Sequence, residues 1–436
     1  MIHQAKKNST RYTVFSLWDT YRAAHPLYQL IYPDYNKQFV NTFLEQFKET
    51  KRLPVWELAS FETYCMIGNH SIPVLANYFL QNENLDRVEK NLIIESIEKT
   101  LEAGYSNIAQ FKKGFISMNE SAESVSKTIE NSIDFGALSE ISKKYYPEKE
   151  YYKNLFNPKT GFFQSKIANK FLVNFDPREV NFNFTEANAW QYLFGAHHDI
   201  DGIIDCLNIS DKKNNKLRSK AESLEFKLDE LFGSSSEMNG RVQADITGLI
   251  GQYAHGNEPS HHVAYLYNYC NRNDKTQKLV QQIMDSFYTN KPEGLCGNED
   301  CGQMSAWYVF SSLGFYPVNP ITGTYQTGIP QFKNVELFPG GNQKMKLVSN
   351  KNDGSKWVYK IVKNNVESDN EIKLRDGDKV EFLFSNVQYL KAKNSNTRIG
   401  NINDVLPYLE QGDDVFIDST SVVLSSINEK TIQYTF

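Results

Sequence analysis

The chain has 436 residues, 40% of them hydrophobic and 23% charged, with a formal net charge of −5. That length exceeds one ordinary core and predicts two or three structural units. The charge balance excludes the basic field that nucleic acid or an anionic membrane requires, and no apolar run approaches the roughly 20 residues that span a bilayer.

The opening segment, MIHQAKKNSTRYTVF, has some positive charge but no apolar h-region, so it does not read as a secretory signal. The expectation is either a cytoplasmic protein or a true amino terminus elsewhere. The sequon Asn8-Ser9-Thr10 has meaning only in a eukaryotic secretory path. From about residue 15 to residue 316 the chain reads as helices joined by polar loops. Asn36 to Thr50 places Phe39, Val40, Phe43, Leu44 and Phe47 on one helical stripe. Leu85 to Glu102 repeats the pattern with Val88, Leu92, Ile93, Ile97 and Leu101, and Gly104 follows as a stop signal. Further amphipathic runs cover Ser121 to Lys144, Lys216 to Phe232, Val263 to Tyr269 and Lys275 to Tyr288. Gly302 to Leu313 is the last, with Gly314 past its end. Many helices with long polar loops suit an α/α toroid or solenoid.

After Pro317 short alternating runs appear: Lys344–Val348, Trp357–Val362 and Val380–Phe384. Turn signals separate them at Pro339-Gly340-Gly341, Asn352-Asp353-Gly354 and Asp376-Gly377-Asp378. The expected architecture is therefore mainly α, a helical domain over 1–320 and a β unit over 321–436. The stretch from about Val387 carries no assigned role.

Five cysteines (Cys65, Cys206, Cys270, Cys296, Cys301) with no CxxC pair argue against a disulfide framework or a zinc ribbon. Only Cys296 and Cys301 are close enough in sequence to suggest a bridge. The 28 Phe and 25 Tyr mostly have a large core to fill, though aromatic faces also suit pyranose rings.

Four polar stretches interrupt the helical region. They are SLWDTYR from Ser16 with His25-Pro26, TEANAWQY from Thr185 with His197-His198-Asp199, YAHGNEPSHH from Tyr253, and GNEDCGQMSAWY from Gly297. Each mixes carboxylate, amide or imidazole groups with Trp or Tyr, and charge beside large rings is costly unless paired, metal-bound or held for catalysis. A lone acid in one of them could equally cap a helix. Glycoside cleavage with inversion needs a protonated acid and a carboxylate base on opposite faces of the sugar, and Glu186 and Asp300 lie in different loops that a toroid could oppose. His255, His261 and His262 raise a zinc site, but they lack the HExxH pattern. The oxygen groups of Asn188, Gln191, Asn257, Glu258 and Asp300 suit Ca²⁺ better. Phosphate-loop and GxSxG patterns are absent from the sequence.

At these stretches, and at LASFETYCMIGNHSIPV around Glu62 to Val74, the chain resembles glycoside hydrolase family 92, the calcium-dependent inverting exo-α-mannosidases. The resemblance runs from about residue 12 to residue 385, with the motifs in the family's order. It implies an (α/α)6 barrel with the site at one mouth, Glu186 as general acid and Asp300 as base. It places Asp19, Arg22, His255, Glu258, Glu299 and Gln303 around a mannose-containing glycan, and Asn257, Glu258 and Gln191 around Ca²⁺. Glu299 beside the base is expected to be held by a neighbouring positive group. Ala187 departs from the Gly or Ser that often follows the acid. Family members carry a β-sandwich domain upstream of the WDTYR motif, so the expectation is a chain lacking that domain, from a periplasmic or secreted lineage. A truncated inactive member or mannose-binding fragment, and a helical polysaccharide lyase, are the competing readings.

Overall fold

The computed structural model describes residues 10–338, 344–352 and 356–385, and the backbone of strands Val423–Asn428 and Thr431–Thr435. The sequon at Asn8-Ser9, the turns at 339–341 and 353–354, and most of the stretch from Val387 lie outside the described residues.

Helix α1 (Ala24–Ile31) leads through Pro33 into α2 (Pro33–Thr50), where proline's fixed φ and missing N–H are tolerated at a first turn. α2 buries Val40, Phe43, Leu44 and Phe47. Helix α3 (Ser71–Gln81) is buried from Ser71 to Tyr78, so it has no polar face and no readable period. Helix α4 (Arg87–Glu102) starts in a capping box: Glu89 N–H donates to Asp86 Oδ1 at 2.8 Å and Asp86 N–H to Glu89 Oε2 at 3.1 Å. Val88, expected on its apolar stripe, is 74% exposed, because it lies in the first turn outside the packed face of Ile93, Ile97 and Leu101.

Helix α5 (Ser124–Ser142) is buried on nearly every side and carries Glu130 and Asp134 into the interior. Then come α6 (Ile200–Lys213), α7 (Lys220–Gly233), α8 (Asn273–Phe287) and α9 (Gln303–Leu313). Val263–Cys270, expected as an amphipathic run, is a 3-10 helix in which every residue but Tyr269 is buried. Most helices pack on their chain neighbours; the 3-10 segments Pro147–Leu155 and Val263–Cys270 bridge α5 to α6 and α7 to α8, and α9 packs back against α1. Gly314 ends α9 at φ 96°, a left-handed conformation that costs glycine little.

Five strands form a mixed sheet: β1 (Asn334–Leu337), β2 (Met345–Ser349), β3 (Trp357–Lys363), β4 (Val366–Ser368) and β5 (Lys379–Ser385), in the order β1-β2-β5-β3-β4. Only β2 and β5 run parallel. The sheet shares one hydrophobic core with the helices: Met345, Leu347, Val358 and Phe382 join Phe310, Tyr316 and Ile283. Gln277 on α8 binds the Val358 backbone twice, at 2.9 and 2.8 Å. A mainly helical scaffold with an attached β unit is what the periodicities imply. All five cysteines are free, so Cys296 and Cys301 form no bridge.

Candidate active site

The four polar stretches meet. Gln303, at the start of α9, accepts the Ala23 and Ala24 N–H groups at 2.9 and 3.2 Å and contacts His261 Nδ1 through its amide at 3.0 Å. One buried side chain thus ties the first, third and fourth stretches. The second joins through Asn188, whose amide donates to Gln252 Oε1 at 2.9 Å, and through Asn257, whose amide donates to Glu186 Oε2 at 3.3 Å and Glu186 O at 3.0 Å.

Glu186 and Asp300 both sit on left-handed backbone, at φ 48° and 52°, and the run Asp300-Cys301-Gly302 stays at positive φ throughout. Side chains other than glycine pay for that conformation, and such strain concentrates where a group must be aimed. Both carboxyls are half-buried. Burial is the main force raising Glu186, to about 7; Asp245 and Asp300 add to it, and the Asn257 hydrogen bond opposes it. Burial also raises Asp300. Trp190 and Tyr192, the large rings of the same stretch, make their contacts elsewhere. Trp190 stands edge-on to Phe162, and the Tyr192 hydroxyl donates to Glu130 at 3.3 Å.

Asp300 also joins Asp19 and Glu258, and the three bring carboxylate oxygens within 4.8 Å of one another. Asp19 and Glu258 are buried, and among the described residues neither Glu258 oxygen meets a hydrogen-bond donor. Burial, then mutual repulsion, raises both acids, with Arg22 opposing. Three crowded carboxylates with two orphaned oxygens hold protons or a cation. This donor set fits a hard oxygen-seeking ion such as Ca²⁺. It shares Glu258 with the set expected from sequence. Gln191 spends its oxygen on the Asn188 N–H at 2.8 Å, as the third helical residue of a capping box. Asn257 turns its amide nitrogen to Glu186.

Arg22 is buried, its guanidinium 5.1 and 4.8 Å from the Trp18 and Tyr21 ring centres. It donates to Trp18 O at 3.0 Å and to Glu130 Oε1 at 3.3 Å. His70 lies between Glu130 and Asp134, at 3.0 and 3.1 Å, and stacks on Tyr21. Burial works against its charge, but the two carboxylates prevail and raise it to about 9. Glu130 is held down at about 2, Arg22 and His70 outweighing its burial. Two cations and two anions therefore balance beneath the acidic cluster. Of this set, sequence reading singled out Arg22 alone. The signal of the rest was Glu130 and Asp134 one turn apart inside a helix otherwise fit for burial.

Glu299 accepts the Gly302 and Ser305 N–H groups at 3.0 and 2.9 Å, so the start of α9, not a cationic side chain, holds it. His255 is sealed among Phe287, Tyr288 and Trp307, bonded to the Tyr253 and Tyr288 hydroxyls at 2.7 Å each. His261 and His262 bond the carbonyls of His255 and Phe194 at 3.0 and 2.8 Å. Burial lowers all three, leaving neutral rings tied to separate partners and no shared zinc position.

These features define a class: a mainly helical scaffold whose connecting loops carry two strained carboxylates, one of them joined to a buried pair of acids. The chain belongs to that class as a member of glycosyl hydrolase family 92, whose catalytic domain matches residues 1–386. It is 31% identical to a family GH92 α-mannosidase of Bacteroides thetaiotaomicron solved in complex with mannoimidazole. That match has a TM-score of 0.78 and covers 88% of this chain and 52% of that one. An inverting mannosidase of the same family and organism matches at 28% identity and a TM-score of 0.73, over 86% of this chain and 54% of that one. A protein of Arthroderma benhamiae named an uncharacterized secreted glycosidase is 23% identical over 386 residues, 77% of this chain and 46% of its own length. The chain spans about half the length of these relatives.

Proposed function

We propose that this chain carries the acid and base of an exo-α-mannosidase that releases terminal mannose from glycans with inversion. We read the helical scaffold as an (α/α)6 barrel with the site at one mouth. The observation that carries the proposal is the pair Glu186 and Asp300, on separate loops and strained backbone, with Glu186 protonated up to about pH 7. Mannose enters through the relatives, two of which are mannosidases by name.

In this reading Glu186 gives its proton to the glycosidic oxygen as the bond to the anomeric carbon breaks. Asp300 takes a proton from the water that attacks that carbon from the opposite face, so an α-mannoside yields β-mannose. Asn257 orients Glu186, and Glu299 fixes the turn that aims Asp300. Asp19 and Glu258 would hold Ca²⁺ beneath the sugar, with Asp300 at the edge of the cluster. The ion's chemistry there would be to grip sugar hydroxyls and favour a distorted ring. Arg22, held by Glu130, favours the ionised form of Asp19. We read the site as completed by the upstream β-sandwich domain that the family resemblance implies. The Arthroderma relative's name supports a secreted setting. Among the described residues no helix is long and apolar enough to cross a membrane.

The test compares Glu186→Gln with the unaltered protein on two mannosides. Loss of about 10²–10⁴ in rate is expected with a poor leaving group and far less with an activated one. Equal loss on both would remove Glu186 as the acid.

A further inference from the structure

Glu130 lies buried in α5, and three donors converge on its Oε1. They are Trp18 Nε1 at 3.1 Å, Arg22 Nη2 at 3.3 Å and the Tyr192 hydroxyl at 3.3 Å. Its other oxygen lies 3.0 Å from His70 Nε2. One carboxylate thus ties the first polar stretch to the second. Trp18 and Arg22 stand on either side of Asp19 in the chain. Asp19 itself sits in a single helical turn, Leu17–Thr20, with every residue buried. One turn does not hold itself, because nucleation fixes several dihedrals for a single hydrogen bond. Ser16 bonds the Asp19 carboxylate, Thr20 bonds Ser16 O at 2.9 Å, and the Trp18 indole on Glu130 anchors the turn across the fold. Arg22 is held by the same carboxylate. Its Nε donates to Trp18 O at 3.0 Å and its Nη2 to Glu130, while Nη1 meets no acceptor among the described residues, although the residue is only 3% exposed.

We propose that Glu130 is a positioning residue for the sugar pocket: it fixes Trp18 and Arg22 so that Asp19 keeps its place and Arg22 Nη1 stays free to donate to a mannose hydroxyl. The inference rests on the reading of this site as a mannose pocket. A buried guanidinium needs a carboxylate partner, and the charge of Arg22 reaches Asp19 and Glu258 as well as Glu130. Among the described residues it forms an ion pair with Glu130 alone. Pairing with Asp19 or Glu258 instead would consume the oxygens of the acidic cluster and fill the space the sugar needs. Pairing with Glu130 satisfies the charge from α5 and leaves one edge of the rigid guanidinium fork for substrate. Glu130 touches no sugar in this role and acts through Arg22 and Trp18.

The experiment has two arms. In the first, hydrogen exchange at the Trp18 indole N–H and the Arg22 Nε–H is followed by ¹⁵N NMR without ligand, and Glu130→Gln should quicken both. In the second, mannose affinity is measured by calorimetry and turnover on a mannoside by rate. Glu130→Gln should weaken mannose roughly tenfold or more, the scale of a hydrogen bond to a charged group, and should raise KM by a larger factor than it lowers kcat. A residue that only supports the fold would lower the active fraction, hence kcat, and leave KM alone. Arg22→Ala should weaken mannose at least as much, and adding Glu130→Gln to it should cost far less than the sum of the two. If Glu130→Gln does not fold, Trp18→Phe, which keeps a ring but loses the N–H, serves with the Arg22 signal and the same signs. Unchanged exchange overturns the proposal, as do additive losses in the double variant or an unchanged mannose affinity where exchange has quickened. Quickened exchange in a protein that never binds mannose would sink the proposed function while leaving the hold of Glu130 on Arg22 standing.

Discussion

Glu186 gains a proton at a pH where an ordinary glutamate has lost it, and the sign of its effect on rate follows. The acid works only while protonated, so kcat/KM should be present below about pH 7 and fall as pH rises through that value. Asp300 works only while ionised, and its raised value places the acidic limb above the usual aspartate range. The bell is therefore narrow. Asn257→Ala removes the hydrogen bond that favours the ionised acid, so the alkaline limb should move upward. A pH–rate profile of that variant checks it, and a downward shift would contradict the geometry. Asp300→Asn should cost about 10²–10⁴ in rate, and ¹H NMR of the first product of the unaltered protein should show β-mannose.

At the scale of elements, α5 brings Glu130 and Asp134 to His70, and the buried balance stabilises the protein only within a pH window. Glu130 is depressed, so its contribution is present above about 4.5 and lost as pH falls toward about 2. His70 is raised, so its contribution is full below about 6.5 and lost as pH climbs through about 9. Asp134 is raised mainly by burial, so it weakens the balance as pH increases. His70→Ala leaves two buried carboxylates short of a cation and should cost about 3–5 kcal/mol in denaturant unfolding at pH 6, with a smaller difference at pH 9.5. The contact between the third and fourth stretches is equally tight. A Cβ on Gly297 would stand 2.6 Å from Gly256 O and 2.7 Å from Gly256 Cα, backbone atoms that cannot rotate away. Gly297→Ala should thus destabilise by about 1–3 kcal/mol and depress turnover by shifting Asp300 from the acid. Retained activity in a destabilised variant would separate the two effects.

At the scale of the molecule, helices and β unit share one core, so the β unit is a structural buttress for α8 as well as a separate run of strands. Exposed Phe61, Phe182 and Val242 leave apolar surface on the loops that precede and follow the site segments. If an upstream domain completes the mouth, supplying it in trans should raise mannose release by this chain several-fold. Full turnover by the monomeric chain alone would show that no such wall is needed. Chelation should lower the melting temperature as well as stop turnover, and Ca²⁺ should restore both better than Zn²⁺, since the cluster offers oxygens.

The primary sequence determined the helical texture, the change to strands after Pro317, and the family, because period, turn chemistry and contiguous motifs are local properties. α2 was legible in the stripe from Phe39 to Phe47, since one face is buried and the other wet. α3 was not, since a helix enclosed on nearly every side loses its period. The four polar stretches were likewise visible as compositions. Only the tertiary structure decided which of their groups share a site. Gln191 and Glu299 became caps, His255 became core, Glu130 and Asp134 entered from a segment with no motif to mark it, and His70 from a motif that did not reveal its partners. The reason is physical: burial, the approach of like charges and the satisfaction of a buried oxygen depend on distances across the fold. Residues as far apart as Asp19 and Asp300 acquire those distances only when the chain folds.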